Sequence, residues 1–175
     1  PFKLGWCGKH TNWDTLYYGI LEILKYDILA NLTVITNFTK KFDNFKYNIK
    51  ELKQKKILIN FIEWSPNYHS MFYNTDIILV PYIYDNRRLV KSINRITDAL
   101  NLGKIVVSSK MPFNKNLNNY CVLGNLGEGL KWIKNNKKEA LIKAKLGKEW
   151  STKNFNIEKI SQKWFDLIKQ LSEFF

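Results

Sequence analysis

The sequence predicts a three-layer α/β domain, a parallel sheet of about six strands with helices on both faces. Three observations carry this. Strand-length apolar runs alternate along the chain with segments whose apolar residues recur at helical spacing. The runs are apolar throughout, not alternately polar, as strands covered on both faces must be. The chain has 175 residues, 45% of them hydrophobic and 15% aromatic, which suits one domain with a substantial core.

The elements follow in order. Lys3–Cys7 reads as a first strand, closed by Gly8. Asn12 to Tyr26 carries Leu16, Ile20, Leu21 and Leu24 at helical spacing. Leu32–Thr36 is a second strand, and the polar stretch Lys40–Gln54 is weakly helical. Ile57–Ile62 is a third strand, ending in Glu63-Trp64-Ser65-Pro66. A short helix, Asn67–Asn74, precedes a fourth strand at Asp76–Pro81. A loop, Tyr82–Lys91, leads to an amphipathic helix, Ser92–Leu102, which Gly103 can stop before a fifth strand at Lys104–Ser109. Asn114–Asn119 is loop or helix, and Cys121–Leu123 a short sixth strand. Gly127–Asn135, Lys138–Trp150 and Ile157–Phe175 are helical. The last carries a heavy apolar stripe of Trp164, Leu167, Ile168, Leu171, Phe174 and Phe175. No internal repeat or low-complexity linker divides the chain.

The formal net charge is +13. A chain saturated with Lys, Asn and Ile acquires such a charge from base composition alone. Anionic substrates, nucleic acid and an anionic membrane surface are the functional readings. The placement of Arg says more, because Arg87, Arg88 and Arg95 are the chain's only arginines. All lie beside the start of the 92–102 helix, and a guanidinium is the better fork for phosphate or carboxylate. The lysines are scattered and not gathered on one element, which argues against a nucleic-acid module. Cys7 and Cys121 form no CxxC and no Cys/His cluster, which points to a reducing compartment and no structural zinc. The opening residues do not read as a signal peptide, and no apolar run is long enough to span a bilayer. Because Pro1 stands almost flush with a strand, the sequence reads as a piece of a longer protein.

In parallel sheets of this kind ligands bind beyond the carboxyl ends of the strands. The candidate residues are therefore those that come just after strands. Ile93, Ile96, Ala99 and Leu100 form the apolar stripe of the 92–102 helix, and Asn94, Arg95, Asp98 and Asn101 lie off it. Ser92 is a candidate N-cap, and Lys91 and Arg95 add charge where free amides favour an anion. The same residues also fit an ordinary capped helix with an Arg95–Asp98 pair at i,i+3. Gly8 lets the chain turn and lets backbone approach a ligand, and Lys9 can reach a phosphate. Trp64 either stacks on a base or closes a lid over the core, and Tyr82 and Tyr84 are equally ambiguous. His69 reads as a surface or satisfied histidine, and His10 stands nearer the crevice. There is no GxGxxG, no Walker motif, no catalytic triad and no carboxylate dyad.

Taken in order, three segments resemble the C-terminal, donor-binding domain of GT-B glycosyltransferases of the group-1, family-4-like kind. "LGWCGKH" resembles the family's first strand and its phosphate-side Gly-Arg turn, with Lys9 in place of Arg. "INFIEWSPNYHSMFYNTDIILVPY" resembles its strand, Gly-Tyr/Trp turn, short helix and following strand, and "KSINRITDALNLGKIVVSS" its helix ending in Glu-Ala-x-x-x-Gly before a Val-rich strand. The resemblance covers residues 3 to 125.

The resemblance implies a single Rossmann-like nucleotide-sugar-binding domain over residues 1–175, the C-terminal half of a bacterial hexosyltransferase-type enzyme of glycan biosynthesis. It places the family's ribose-binding Glu at Asp98. It places the sugar-reading Glu at Val90, a departure for which Lys91, Ser92 and Asn94 would compensate. The family's second basic residue has no counterpart, since Asp14 sits near that place, and Arg95 would supply the charge. The implied substrate-binding set is then Gly8, Lys9, Glu63, Trp64, Lys91, Ser92, Asn94, Arg95 and Asp98. No cofactor or metal is implied, because cationic groups can stabilise the leaving diphosphate. The expected partners are a nucleotide-diphospho sugar, an N-terminal GT-B domain outside this chain and a membrane surface, but no nucleic acid. The expected place is the cytoplasm, peripheral at the inner membrane face, with the isolated chain inactive and its final helix crossing towards the other lobe. The alternatives are a basic nucleic-acid-binding module and a degenerate, non-catalytic interaction domain.

Overall fold

The computed structural model describes residues 1–51 and 56–173, with the side chains of Glu51 and Arg87 left out of account. Six strands form one parallel sheet: β1 (Phe2–Cys7), β2 (Ala30–Thr36), β3 (Ile57–Glu63), β4 (Ile77–Val80), β5 (Ile105–Ser108) and β6 (Val122–Leu123). The helices are α1 (Trp13–Leu24), α2 (Phe42–Glu51), α3 (Asn86–Leu89), α4 (Asn94–Asn101), α5 (Leu126–Asn135), α6 (Lys137–Asn154) and α7 (Ile157–Ser172). The expected three-layer α/β fold is therefore present, with boundaries shifted by a residue or two at most ends.

The strand order is β3-β2-β1-β4-β5-β6. The chain winds outward from β1 to β3, returns to the middle, and winds outward again from β4 to β6. The order thus reverses between β1 and β4, where Gly5 stands opposite Ile78. At such a switch point the crossovers leave to opposite sides and open a crevice above the strands.

Successive strand residues point to opposite faces, so a run such as Ile77-Ile78-Leu79-Val80 feeds two cores. Ile77 and Leu79 join Leu4, Trp6, Leu32 and Val34 beneath α1, α2 and α5. Ile78 and Val80 join Ile35 and Val106 beneath α4 and the segment from Met111 to Cys121. This double burial is the reason the strands read as unbroken apolar runs.

Three local expectations need correction. The helix expected at Ser92 begins at Asn94, with Ile93 in the N-cap position and no side-chain cap, so Ser92 does not cap it. Its end is as read: Gly103 takes φ +69°, and the Lys104 amide donates back to the Ala99 carbonyl. The segment Asn67–Asn74 holds a 3-10 helix, Tyr68–Phe72, and the loop 82–91 contains α3. Gln54, the expected end of α2, lies outside the described residues.

The last helix departs furthest from a core element. No residue of α7 is buried, and Trp164 and Phe165 are 61% and 64% exposed. The whole described stripe is open, not only its last turn, while Phe174 and Phe175 lie outside the described residues. Among the described residues, no helix is long and apolar enough to cross a membrane.

Candidate nucleotide-sugar site

A cavity of about 510 Å³ opens at the carboxyl ends of β1 and β4, at the switch point. That volume is in the range of small-molecule sites. One wall is a single face of α4, where Arg95, Asp98, Ala99 and Leu102 succeed one another at i, i+3, i+4 and i+7. Cys7 and Gly8 end β1 on a second side. Tyr68, His69 and Phe72 of the 3-10 helix, with Trp64 after β3, make the third.

The turn after β1 is fixed by a short hydrogen-bond relay. The Trp13 indole donates to Thr36 Oγ1 at 2.7 Å, and the Thr36 hydroxyl donates to the Gly8 carbonyl at 2.7 Å. The Gly8 amide donates to the Ile35 carbonyl at 3.1 Å and so extends the sheet. It is therefore not free for a phosphate. Glycine is required there for another reason. A Cβ on Gly8 would stand 2.5 Å from the Trp6 ring, well inside contact distance. Lys9, carried just beyond this rigid turn, is exposed and on the cavity wall.

Arg95 is the most informative side chain. Its guanidinium carbon lies 5.1 Å from the centre of the Tyr82 ring, a cation–π contact. Its Nη1 is buried and has no hydrogen-bond partner. The i,i+3 pair with Asp98 that helix spacing allowed does not form. Asp98 instead accepts a hydrogen bond from the Tyr68 hydroxyl, with Oδ2 at 3.1 Å. A buried, unsatisfied donor is rare because it forfeits the solvation it had in water, at a cost of ~1–3 kcal/mol.

Burial also acts on Cys7, whose thiol is pushed up to about 12. Arg95 draws it down and Asp98 pushes it further up, but desolvation dominates. Cys7 is thus a neutral thiol in the cavity, not a thiolate.

The structure gathers Gly8, Lys9, Trp64, Arg95 and Asp98 from the sequence-derived set around one space. It does not bring Glu63, Lys91, Ser92 or Asn94 there. Glu63 is exposed at the end of β3, and Ser92 and Asn94 are exposed at the start of α4. The face of α4 that lines the cavity starts only at Arg95, so the donors before it point elsewhere. Val90 is 86% exposed at the end of α3, away from the wall. Trp64 is 41% exposed and stacks beside Tyr68, so it does not seal the core. The histidines exchange places relative to expectation: His69 lines the cavity, while His10 packs edge-on against Trp13 outside it.

Arg88 has a different task. It is 6% exposed, and its two terminal nitrogens donate to Asp14 Oδ2 at 2.7 Å and Asp85 Oδ2 at 2.6 Å. A cation does stand near the place where the sequence shows only Asp14, but it reaches in from α3 and is neutralised there. Sequence reasoning also missed Tyr68, whose contact with Asp98 joins residues 30 apart and leaves no local signal.

Two other cavities have a less favourable setting. One, about 560 Å³, lies at the amino ends of the strands, where Lys104 is already committed to the Thr75 carbonyl at 2.6 Å. The other, about 400 Å³, flanks β6. Neither stands at the switch point or holds an unpartnered buried charge.

No family model and no curated protein matches the chain. Solved structures do. Anabaena Alr3699/HepE, solved with UDP and with UDP-glucose, superposes with a TM-score of 0.75 at 13% identity, over 97% of this chain and 49% of that one. A glycosyltransferase from Rickettsia africae ESF-5 gives 0.73 at 14% identity, over 97% and 47%. Staphylococcus aureus TarM, solved with UDP among its ligands, gives 0.71 at 12% identity, over 94% and 35%. The chain spans about half the length of the first two. These neighbours are GT-B glycosyltransferases, and the chain has the Rossmann-like α/β fold of one part of such an enzyme.

Proposed function

We propose that this chain is the donor-binding domain of a hexosyltransferase-type glycosyltransferase and holds a nucleotide-diphospho sugar at the switch-point cavity. The observation that carries the reading is the buried Arg95 Nη1 on the cavity wall, a cationic donor with no partner in the protein. An anionic oxygen is the group that would satisfy it. UDP and UDP-glucose, the ligands of the structurally similar HepE, present such oxygens.

The roles are assigned from position. Arg95 and Lys9 hold the diphosphate, Asp98 accepts from the ribose hydroxyls, and the exposed face of Trp64 stacks on the base. In transfer, the bond from the anomeric carbon to the diphosphate oxygen breaks, and its electron pair goes to the diphosphate. Arg95 and Lys9 face the charge that develops there, which lowers the barrier electrostatically. The acceptor oxygen bonds to the anomeric carbon, and its proton leaves to a base. That base and the acceptor site belong to a further GT-B domain, which the open stripe of α7 is suited to meet.

Calorimetric titration with UDP, GDP and a short DNA duplex tests the reading, together with a sugar-transfer assay on this chain alone. The expected result is binding of a nucleoside diphosphate, little affinity for the duplex at physiological salt, and no turnover. Preference for the duplex, or no binding of either nucleotide at millimolar concentration, would refute it.

A further inference from the structure

Asp98 faces the cavity, but its geometry is not its own. The carboxylate sits three residues from Arg95 on the same helix, where an ion pair would neutralise both groups. No such pair forms, and Oδ2 accepts from the Tyr68 hydroxyl at 3.1 Å instead. Tyr68 belongs to the 3-10 helix on another side of the cavity, so this bond ties two of its walls together. The phenol ring is itself fixed. His69 lies 3.9 Å away, Phe72 meets it edge-on at 6.3 Å, and Trp64 stacks at 6.2 Å.

We propose that Tyr68 is a specificity-determining residue of this site: its hydroxyl fixes the Asp98 carboxylate so that the remaining oxygen reads the sugar hydroxyls of a ribonucleotide. The inference rests on the donor-binding reading and deepens it.

The chemistry supports one direction. An ionised carboxylate accepts at about four positions on two oxygens. Tyr68 uses one of them on Oδ2 and leaves Oδ1 for the two vicinal hydroxyls of ribose. An aspartate one carbon shorter than glutamate has less reach, and a fixed orientation offsets part of that loss by removing rotamer freedom before the ligand arrives. The phenol keeps its proton at any physiological pH, because burial first and the Asp98 charge second push its ionisation upward. It is therefore a permanent donor to Asp98. The arrangement also leaves Arg95 Nη1 without a partner in the protein, so phosphate and ribose are each met by a group of the right charge.

The test uses Tyr68→Phe, which keeps the aromatic packing and removes only the hydroxyl, and Tyr68→Leu, which removes both. Each is titrated with UDP and with 2′,3′-dideoxy-UDP after its melting curve has been compared with wild type. Wild type is expected to prefer UDP. In Tyr68→Phe the affinity for UDP should fall roughly 5- to 20-fold, the low end of the scale of a hydrogen bond to a charged group, because Asp98 itself remains. Affinity for the dideoxy ligand should change less than about twofold, on the same reasoning. The ribose preference then collapses while the fold persists, which a packing role alone would not produce. In Tyr68→Leu both affinities should fall. Three results would overturn the proposal: an unchanged ribose preference in Tyr68→Phe, an equal loss on both ligands, or a gain in UDP affinity, which would make the phenol a competitor of the ligand. Failure of wild type to bind UDP or GDP would instead remove the donor-binding reading, and this proposal with it.

Discussion

Replacing Arg95 by Met separates stability from binding more sharply than any other single change. Methionine has a similar reach and no charge. In the unliganded protein the guanidinium is subject to two opposing effects. The unpartnered, buried Nη1 is unfavourable by ~1–3 kcal/mol. The contact with Tyr82 at 5.1 Å is favourable by ~0.5–2 kcal/mol. The two nearly cancel, so Arg95→Met should leave the unfolding free energy within about 1 kcal/mol of wild type. Binding has no such cancellation. Loss of a hydrogen bond from a charged donor to a diphosphate should weaken UDP by ~1.5–3 kcal/mol, roughly 10- to 150-fold.

Thermal denaturation with and without ligand reads both numbers. At a UDP concentration 100 times the wild-type Kd, wild type gains ~2.7 kcal/mol from the ligand. A variant bound tenfold more weakly gains ~1.4 kcal/mol or less at the same concentration. Uridine, which has no phosphate, should bind both proteins alike. A loss of about 3 kcal/mol in the unliganded variant, with binding per folded molecule unchanged, would make Arg95 a structural residue and refute the reasoning.

Arg88→Met should behave in the opposite way. It should destabilise the fold by ~1–3 kcal/mol in denaturant titration, because the buried guanidinium that bridges Asp14 and Asp85 is lost, and leave the UDP Kd unchanged. Substituting Trp164 and Ile168 by Ser should change the unfolding free energy by under about 0.5 kcal/mol, because neither is buried; a loss above about 2 kcal/mol would place α7 on this domain in solution. The thiols of Cys7 and Cys121 are both pushed up to about 12, so the native state keeps protons that the unfolded chain releases near the ordinary cysteine value. Stability should therefore fall as pH rises from about 9 towards 12, by up to ~1.4 kcal/mol per pH unit for each thiol, and Cys121→Ala should make the fall shallower in denaturant titrations at pH 9 and pH 10.5.

The sheet was legible because burial on both faces leaves a strand no polar positions. Ile77-Ile78-Leu79-Val80 can be little else between two turn signals. The strand order was not, since an apolar run carries no mark of its neighbour. Arg95 and Asp98 were legible as polar residues off the apolar stripe of an amphipathic helix. Lys91, Ser92 and Asn94 do not line the cavity, because the helix starts at Asn94 and the face that meets the cavity starts at Arg95. The stripe of α7 was visible as amphipathicity, but a sequence shows that a face is apolar and not what covers it.

The arginines show where local reading stops and geometry takes over. In a chain that otherwise relies on Lys, the cluster near α4 suggested one anion site built from several donors. Arg88 and Arg95 instead divide the work. Arg88 donates to two carboxylates that neutralise it, so it fixes α3 to the start of α1. Arg95 stands on the cavity wall with a buried nitrogen that the fold leaves unsatisfied. Side-chain chemistry and sequence neighbourhood are nearly the same for both. The difference lies in partners that are distant in sequence: Asp14 accepts from Arg88, whereas Asp98 accepts from Tyr68 and forms no ion pair with Arg95. The charge available for an anion is set by which guanidinium those partners leave uncompensated, and not by how many donors the helix start displays.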